Sequence, residues 1–299
     1  MTSVGAPGRA VRFAAFAREF FRNKEAAFGF SFLALVTLSA IFASLLFPVG
    51  PSDLLAYPAL LPPSLSFPMG TDYVGRNMLM LMVFGARTSL FVALGASALL
   101  AVLGTVAGLL AGYLGGKLDG LIMRIADVFL TLPTLPLILL VVALLGQSIT
   151  NIMLIIALTS WPFMARLVRA NVLSMMKREF IQIERVMGAS GSRIVFRHLL
   201  PNQLDLILIY TSLSIPVVVL TEAAVEFLGL APITVSWGFV LNISLDYWIR
   251  GAWWMSFFPG LMIFLTSLSF YFISEGLREA FNPRLKRRRE SLVVQLAES

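Results

Sequence analysis

Six long apolar blocks constrain this chain more than any other feature of its sequence. They lie at residues 26–48, 88–114, 124–146, 149–168, 202–222 and 255–275. A helix needs roughly 20 residues to cross a hydrocarbon core of about 30 Å, so these blocks are long enough to span a bilayer. Charged residues make up only 13% of the chain, whereas soluble domains have about 25%. The sequence therefore predicts an all-α integral membrane protein with six transmembrane helices.

A basic segment precedes the first block, as it does in a cleaved signal peptide. Its members are Arg9, Arg12, Arg18, Arg22 and Lys24. However, the apolar core is longer than the roughly 7 to 15 residues of a signal peptide, and no clear cleavage site follows it. We therefore expect the block to remain as the first membrane span.

Lysine and arginine are distributed unevenly between the segments that connect the blocks. With the N terminus inside, Arg76, Arg87 and Arg250 fall outside and the other 20 of the 23 basic residues fall inside. Cytoplasmic loops carry an excess of these residues, so both termini are expected to be cytoplasmic. The basic residues form short clusters between apolar blocks, so the net charge of +7 reflects topology and does not indicate nucleic-acid binding.

Three units follow from this topology. Residues 1–68 comprise a cytoplasmic segment, the first transmembrane helix and a Pro-rich outer loop. Residues 69–286 form a five-helix core with a cytoplasmic loop at 171–201, and residues 287–299 form a cytoplasmic tail that starts with basic residues.

The loop between the fourth and fifth blocks is polar but has helical periodicity. Four apolar residues recur along one stripe: Met176, Phe180, Ile183 and Met187. Gly188 is the predicted end of this helix, and Ser190 or Ser192 is the predicted N-cap of a second helix that runs toward Pro201. The pattern alone fits an interfacial helix on the bilayer and a helix presented to a soluble partner equally well.

The same loop resembles the cytoplasmic loop of ATP-binding-cassette (ABC) importer permeases. The signature of that family is Glu-Ala-Ala, three residues, Gly, nine residues, an apolar residue, any residue and Leu-Pro. Gly188 and Leu200-Pro201 match at the required interval, whereas Gln182-Ile183-Glu184 replaces Glu-Ala-Ala and His198 replaces the apolar residue. The resemblance implies an ATPase-coupling site made of Met176, Phe180, Gln182, Ile183, Glu184, Met187, Gly188, Ala189 and Ser190.

Further motifs carry the resemblance over residues 69–286. MGTDYVGRN at 69–77 resembles an element that precedes the second span in dipeptide and oligopeptide permeases, and EFLGL at 226–230 and EGLREAFNPRLK at 275–286 follow in family order. The implied outer motif consists of Gly70, Thr71, Asp72, Gly75 and Arg76. These motifs place the chain near the dipeptide, oligopeptide and nickel branch of the family.

The resemblance implies a type I ABC importer permease fold in the cell membrane. Such a chain forms half of a translocation pathway, surrounded by lipid and paired with a homologous permease subunit. Two cytoplasmic ATPase subunits or domains bind ATP and magnesium, and an extracytoplasmic binding protein delivers the solute. The chain itself is expected to bind no cofactor or metal and to catalyse no reaction. Its solute, whether a peptide, a nickel complex or an oligosaccharide, is left open.

Three other functional classes are less well supported by the residues. An ion-coupled secondary transporter needs ionisable residues near the midplane, but Asp127 and Asp205 lie near inner ends and Glu222 and Glu226 near an outer end. A passive channel needs charged rings or a repeated filter loop, which are not visible. An intramembrane enzyme needs a base or a metal set, but His198 is the only histidine and the chain has no cysteine.

Glycine, proline and tryptophan suggest finer details of the spans. Gly104, Gly108, Gly112 and Gly116 recur every four residues, which predicts close helix packing. Helix kinks are predicted at Pro133, Pro136, Pro162 and Pro216. An interfacial aromatic belt is predicted at Trp237, Trp248, Trp253 and Trp254.

Overall fold

The structure, a computed structural model, describes residues 9–230, 232 and 234–281. The predicted cytoplasmic tail at 287–299 and the end of the predicted core beyond 281 lie outside the described residues. The described part consists of helices and the loops that connect them, without a β-strand. Its α-helices are α1 (Arg9–Arg22), α2 (Lys24–Ile41), α3 (Ala43–Leu46), α4 (Met78–Leu114), α5 (Gly116–Thr131), α6 (Thr134–Leu145), α7 (Ile149–Met176), α8 (Glu179–Val186), α9 (Gly191–Arg193), α10 (Leu204–Val225), α11 (Trp237–Trp248) and α12 (Trp254–Phe281).

Five helices of the described chain are long and apolar enough to cross a membrane, and a bent pair provides a sixth span. The five are α2, α4, α7, α12 and the segment that contains α10. The sixth is formed by α5 and α6, which meet at an angle of 91°. The predicted number of spans is therefore reached when the bent pair is counted as one.

The third span, for which kinks are predicted at Pro133 and Pro136, is broken into two helices at Pro133. Leu132 adopts an extended conformation before Pro133, which directly precedes the first residue of α6. A residue before proline avoids the helical region because the proline ring collides with it. Pro136 lies in the first turn of α6, where its missing N–H leaves no hydrogen bond unmade. Pro162 and Pro216, in contrast, lie inside continuous helices.

Helix α4 is the centre of the bundle and packs against α7, α10 and α2. Its glycines permit backbone contact with α7: a Cβ added at Gly104 would lie 2.5 Å from the Met164 Cβ, and one at Gly108 would lie 2.5 Å from the Ala165 carbonyl oxygen. Gly112 meets Val172 in the same way. The predicted packing is confirmed at these three positions. Gly116 lies beyond the end of α4 with open space around it, so the fourth position does not take part.

Two ion pairs fasten α5 to α7. The Arg169 guanidinium donates hydrogen bonds of 2.5 and 2.6 Å to the two carboxylate oxygens of Asp119. Arg166, about one turn before Arg169 on α7, pairs with Asp127, about two turns after Asp119 on α5. Bidentate pairing such as that of Arg169 with Asp119 adds geometric specificity as well as energy. Helix α5 therefore keeps a defined position beside α7 although it is bent sharply relative to α6.

Candidate functional site at the segment between α7 and α10

The predicted helix, turn and second helix between α7 and α10 are confirmed. Helix α8 ends in a Schellman motif, in which the Gly188 N–H donates to the Arg185 carbonyl at 3.0 Å and the Ala189 N–H to the Glu184 carbonyl at 3.0 Å. Gly188 has a φ of +78°, which glycine adopts without the strain that a side chain causes. The Ser190 hydroxyl caps α9 by accepting from the Arg193 N–H.

Two residues of α8 attach it to the body of the bundle. Ile181 is fully buried and belongs to the apolar cluster that includes Val172 and Ile194. The Gln182 side-chain amide donates a hydrogen bond of 2.6 Å to the Met176 carbonyl, at the last turn of α7. Burying Ile181 contributes about 1.5 to 3 kcal/mol, so α8 is held against the end of α7.

The opposite side of α8 presents apolar side chains to the surroundings. Val186 and Met187 are 88% and 80% exposed, and Phe180 and Ile183 are exposed as well. We call these four residues the α8 face. Met176 does not belong to it, contrary to the predicted stripe, because it is the last residue of α7 and is buried in the cluster beneath.

An acidic residue joins α8 to the helix that follows the turn. Glu184 lies 3.4 Å from His198 Nε2 and 3.9 Å from the Arg193 guanidinium. The Phe180 ring packs near the His198 ring, with centroids 6.2 Å apart. His198 Nε2 makes no hydrogen bond within the described residues, so the two arms of the segment are held together by the charge of Glu184 beside Arg193 and by the contact between the two rings.

At the start of α4, residues 70–76 fold into a compact structure that we call the Gly-Thr-Asp segment. Asp72 accepts hydrogen bonds from the N–H groups of Val74 and Arg76 at 3.0 and 2.7 Å, and a third from Arg76 Nε at 2.7 Å. Both ionic side chains are buried. The Thr71 hydroxyl accepts from the Leu61 N–H and donates to the Pro58 carbonyl, each at 2.8 Å.

The glycines of the same segment allow close backbone contact. Gly75 has a φ of +73°, and a Cβ there would lie 1.9 Å from the Tyr57 carbonyl oxygen. Gly70 also has a positive φ, of +77°, and a Cβ there would lie 2.8 Å from Trp254 Nε1. The predicted outer motif therefore folds the Pro-rich loop onto the bundle.

Two of the four tryptophans are core residues, which corrects the prediction of an aromatic belt at all four. Trp237 is fully buried and its indole N–H donates to the Met82 carbonyl at 3.0 Å. Trp254 is buried as well and donates to the Thr71 carbonyl at 2.9 Å. Trp248 and Trp253 are exposed, as a belt requires.

A buried polar cluster joins α4, α10 and α11. The Ser89 hydroxyl donates to Glu222 at 3.0 Å and accepts from the Trp237 N–H at 3.4 Å. The Ser236 hydroxyl donates to Glu226. The sequence predicts that both glutamates lie near one end of the fifth span, but it does not predict their partners. The contact between Ser89 and Glu222 joins residues 133 positions apart, which no local pattern shows.

Two cavities, which the sequence did not predict, lie along α10. One of about 620 Å³ is bounded by α4, α6, α7 and α10; its lining is mostly apolar, and its polar residues are Thr134, Thr159, Ser160, Tyr210, Ser214 and Thr221. The other, of about 400 Å³, is bounded by α7, α10 and α12 and extends to Asp205 and Arg278. Tyr210 and Leu213 border both.

Comparison with known proteins identifies the family to which this chain belongs. Residues 104–287 match the family model described as binding-protein-dependent transport system inner membrane component. Residues 12–63 match the N-terminal TM domain of oligopeptide transport permease C. The dipeptide transport system permease protein of Escherichia coli strain K12 is 39% identical over 275 residues, which cover 89% of this chain and 91% of that protein. The di/tripeptide transport system permease protein of Pseudomonas aeruginosa strain UCBPP-PA14 is 37% identical over 279 residues, which cover 91% and 92%. The chain therefore belongs to the binding-protein-dependent transport system inner membrane components, the multi-pass permease subunits of ABC importers, in which ATP is hydrolysed by partner subunits.

Proposed function

We propose that this chain forms half of the translocation pathway of an ATP-driven peptide importer and is driven through the α8 face. The other half is a homologous permease subunit. Two ATPase subunits, which bind ATP and magnesium, engage the two permeases, and a substrate-binding protein delivers the peptide from the opposite side. The observation that carries the proposal is an exposed apolar face on a helix that is firmly attached to the bundle.

Docking of the α8 face in a cleft of an ATPase would remove four large apolar side chains from water. Full burial contributes about 1.5 to 3 kcal/mol for each such side chain. Charged residues also adjoin the apolar residues of the face: Glu184 and Arg185 lie between Ile183 and Val186 in the sequence. Apolar contacts with charged flanks are typical of a helix that binds in a protein groove.

The attachment of α8 provides a route for movement into the membrane. Ile181 and Gln182 fix α8 to α7. Helix α7 in turn touches the α4 backbone at Gly104 and Gly108. A displacement of α8 by an ATPase would therefore move α7 and α4 together, since close-packed helices leave no space to absorb it.

The α8 segment and the Gly-Thr-Asp segment lie at opposite ends of α4, which supports the proposed topology. The Gly-Thr-Asp segment leads directly into α4, whose 37 residues span about 56 Å at 1.5 Å per residue. At the other end of α4, the Tyr113 ring lies 5.8 Å from the Arg185 guanidinium. With the basic residues inside, α8 and both termini face the cytoplasm and the Gly-Thr-Asp segment faces the binding protein.

Peptides are the proposed solute because two relatives with 37% and 39% identity are named for dipeptide or di/tripeptide transport. The test is uptake of radiolabelled dialanine by the complete complex in vesicles, with ATP supplied on the side of the ATPase subunits. Uptake that requires ATP, both permeases and the binding protein is expected. Accumulation by this chain alone, driven by a pH gradient, would contradict the proposal.

A further inference from the structure

The smaller cavity beside α10 is mostly apolar, but it has two charged residues at one end. Its apolar and aromatic lining residues are Leu167, Leu206, Ile209, Tyr210, Leu213 and Phe281. Asp205 and Arg278 complete the lining. Asp205 lies in the first turn of α10 and Arg278 in the last turn of α12. An acidic and a basic side chain therefore lie together where α10 begins and α12 ends.

Both charged side chains can still bind a ligand. Within the described residues, Asp205 has no hydrogen-bond or ionic partner. Arg278 donates from Nη2 to Glu275 at 2.9 Å, which uses one of the five N–H groups of a guanidinium. Its side chain is 56% exposed, and its ionic partner is Glu275 and not Asp205. The cavity thus offers one hydrogen-bond acceptor with a negative charge and several donors with a positive charge.

The depth of the cavity matches one leaflet of a bilayer. The eight residue steps of α10 from Asp205 to Leu213 cover about 12 Å. Half of a hydrocarbon core of about 30 Å is about 15 Å. Because α10 begins directly after the α8 segment, the charged end faces the cytoplasmic leaflet in the topology proposed above.

We propose that this cavity binds an acyl chain of a phospholipid whose head group carries both a phosphate and an ammonium group. The Arg278 guanidinium donates hydrogen bonds to the phosphate, for which its geometry is suited. The Asp205 carboxylate accepts from the ammonium group. The acyl chain covers the apolar side chains that line the space between α7, α10 and α12. Only the choice of leaflet rests on the proposed topology.

Two other depressions of the described chain lack this combination of apolar and charged residues. The larger cavity beside α10, and one on α11 and α12 that extends from Trp248 to Phe264, have no charged residue in their linings. Either can accommodate an acyl chain, but neither distinguishes between head groups by charge. At the smaller cavity, Asp205 repels an anionic head group and attracts an ammonium group. A preference for a zwitterionic lipid over an anionic one is therefore specific to this cavity.

The test measures lipid binding to the delipidated complete complex by native mass spectrometry. Dioleoylphosphatidylethanolamine has both head-group charges, whereas dioleoylphosphatidylglycerol has the phosphate alone, so the first should bind more tightly. Asp205→Asn should weaken binding of the first lipid about tenfold or more, since it removes a charge-assisted hydrogen bond, and should not weaken binding of the second. Arg278→Gln should weaken binding of both. Asp246→Asn and Arg250→Gln are matched controls, because both residues are exposed and lie outside the three cavities.

Two neighbouring residues of α10 test the position of the acyl chain. Ile209 lines the cavity, whereas Leu208 is 48% exposed outside it. Ile209→Trp should fill the cavity and weaken binding of both lipids, and Leu208→Trp should leave binding unchanged. Equal binding of the two lipids, unaltered by Asp205→Asn and Ile209→Trp, would identify them as boundary lipid and overturn the site. Displacement of the lipid by dialanine would overturn it as well. Absence of ATP-dependent dialanine uptake by the unsubstituted complex would instead contradict the proposed function alone.

Discussion

The Gly-Thr-Asp segment and the α8 segment are the two parts of this chain that most resemble family motifs, and they use their residues in opposite ways. In the Gly-Thr-Asp segment the polar side chains of Asp72 and Arg76 are buried and fully engaged with each other and with backbone groups. In the α8 segment the apolar side chains of Val186 and Met187 are exposed. The Gly-Thr-Asp segment thus stabilises the fold through internal contacts, whereas the α8 segment presents apolar side chains on its surface.

This difference implies that the two segments serve different properties: the Gly-Thr-Asp segment stabilises the chain, and the α8 face couples it to the ATPase subunits. Residues whose contacts are internal should change the free energy of unfolding when they are replaced. Exposed residues of the α8 face should leave it nearly unchanged, since surface substitutions usually fall within about 0.5 kcal/mol. The two segments can therefore be distinguished by measuring unfolding and transport on the same variants.

The largest expected effect on stability is that of Asp72→Ala. It leaves the Arg76 guanidinium buried without its counter-ion, and breaking a buried pair in this way costs about 3 to 5 kcal/mol. Thermal unfolding of the detergent-solubilised chain measures the loss. Asp53→Ala is the control, because Asp53 is an exposed residue of the same loop that accepts from the Gly50 N–H. Equal shifts for both variants would contradict the structural role of the segment.

A smaller difference is expected between alanine substitutions at Gly75 and Gly188. Both glycines have a positive φ, of +73° and +78°, so each substitution costs about 1 kcal/mol or more in backbone strain. Only at Gly75 would the new Cβ also collide with a backbone oxygen, that of Tyr57, because the space around Gly188 is open. Gly75→Ala should therefore lower the unfolding temperature more than Gly188→Ala. The reverse order would show that the turn after α8 is packed as tightly as the Gly-Thr-Asp segment.

The sequence predicted local features of both segments well. Gly188 is predicted as the end of one helix and Ser190 or Ser192 as the cap of the next, because capping depends on neighbouring residues; the cap is Ser190. The membrane spans are predicted from the sequence because the length and apolar composition of a segment suffice to identify a helix that can cross a membrane. Proline indicates a kink at Pro133, but neither proline nor hydropathy indicates its size of 91°, because the apolar character continues through the break.

Long-range contacts explain the remaining differences. Met176 is buried and Ile181 anchors α8 because two residues, Lys177 and Arg178, separate the end of α7 from the start of α8, and a single helical periodicity across the whole stretch does not show this break. Trp237 is a core residue because its indole N–H meets Met82 on α4, 155 positions away. The two cavities along α10 depend on the positions of five helices, α4, α6, α7, α10 and α12, so no local pattern contains them.

The most direct test of the account is the coupling of ATP hydrolysis to dialanine uptake in reconstituted complexes that carry Phe180→Asp or Arg178→Ala. Phe180 belongs to the α8 face, whereas Arg178 is an exposed polar residue at the start of the same helix. Phe180→Asp should lower the unfolding temperature of the chain only slightly, through the lost contact with the His198 ring, but abolish ATPase assembly or uptake, because it places a charge in the apolar contact. Arg178→Ala should retain both activities. Uptake and ATP hydrolysis at the unsubstituted level in Phe180→Asp would contradict the claim that ATPase subunits drive this permease through the α8 face.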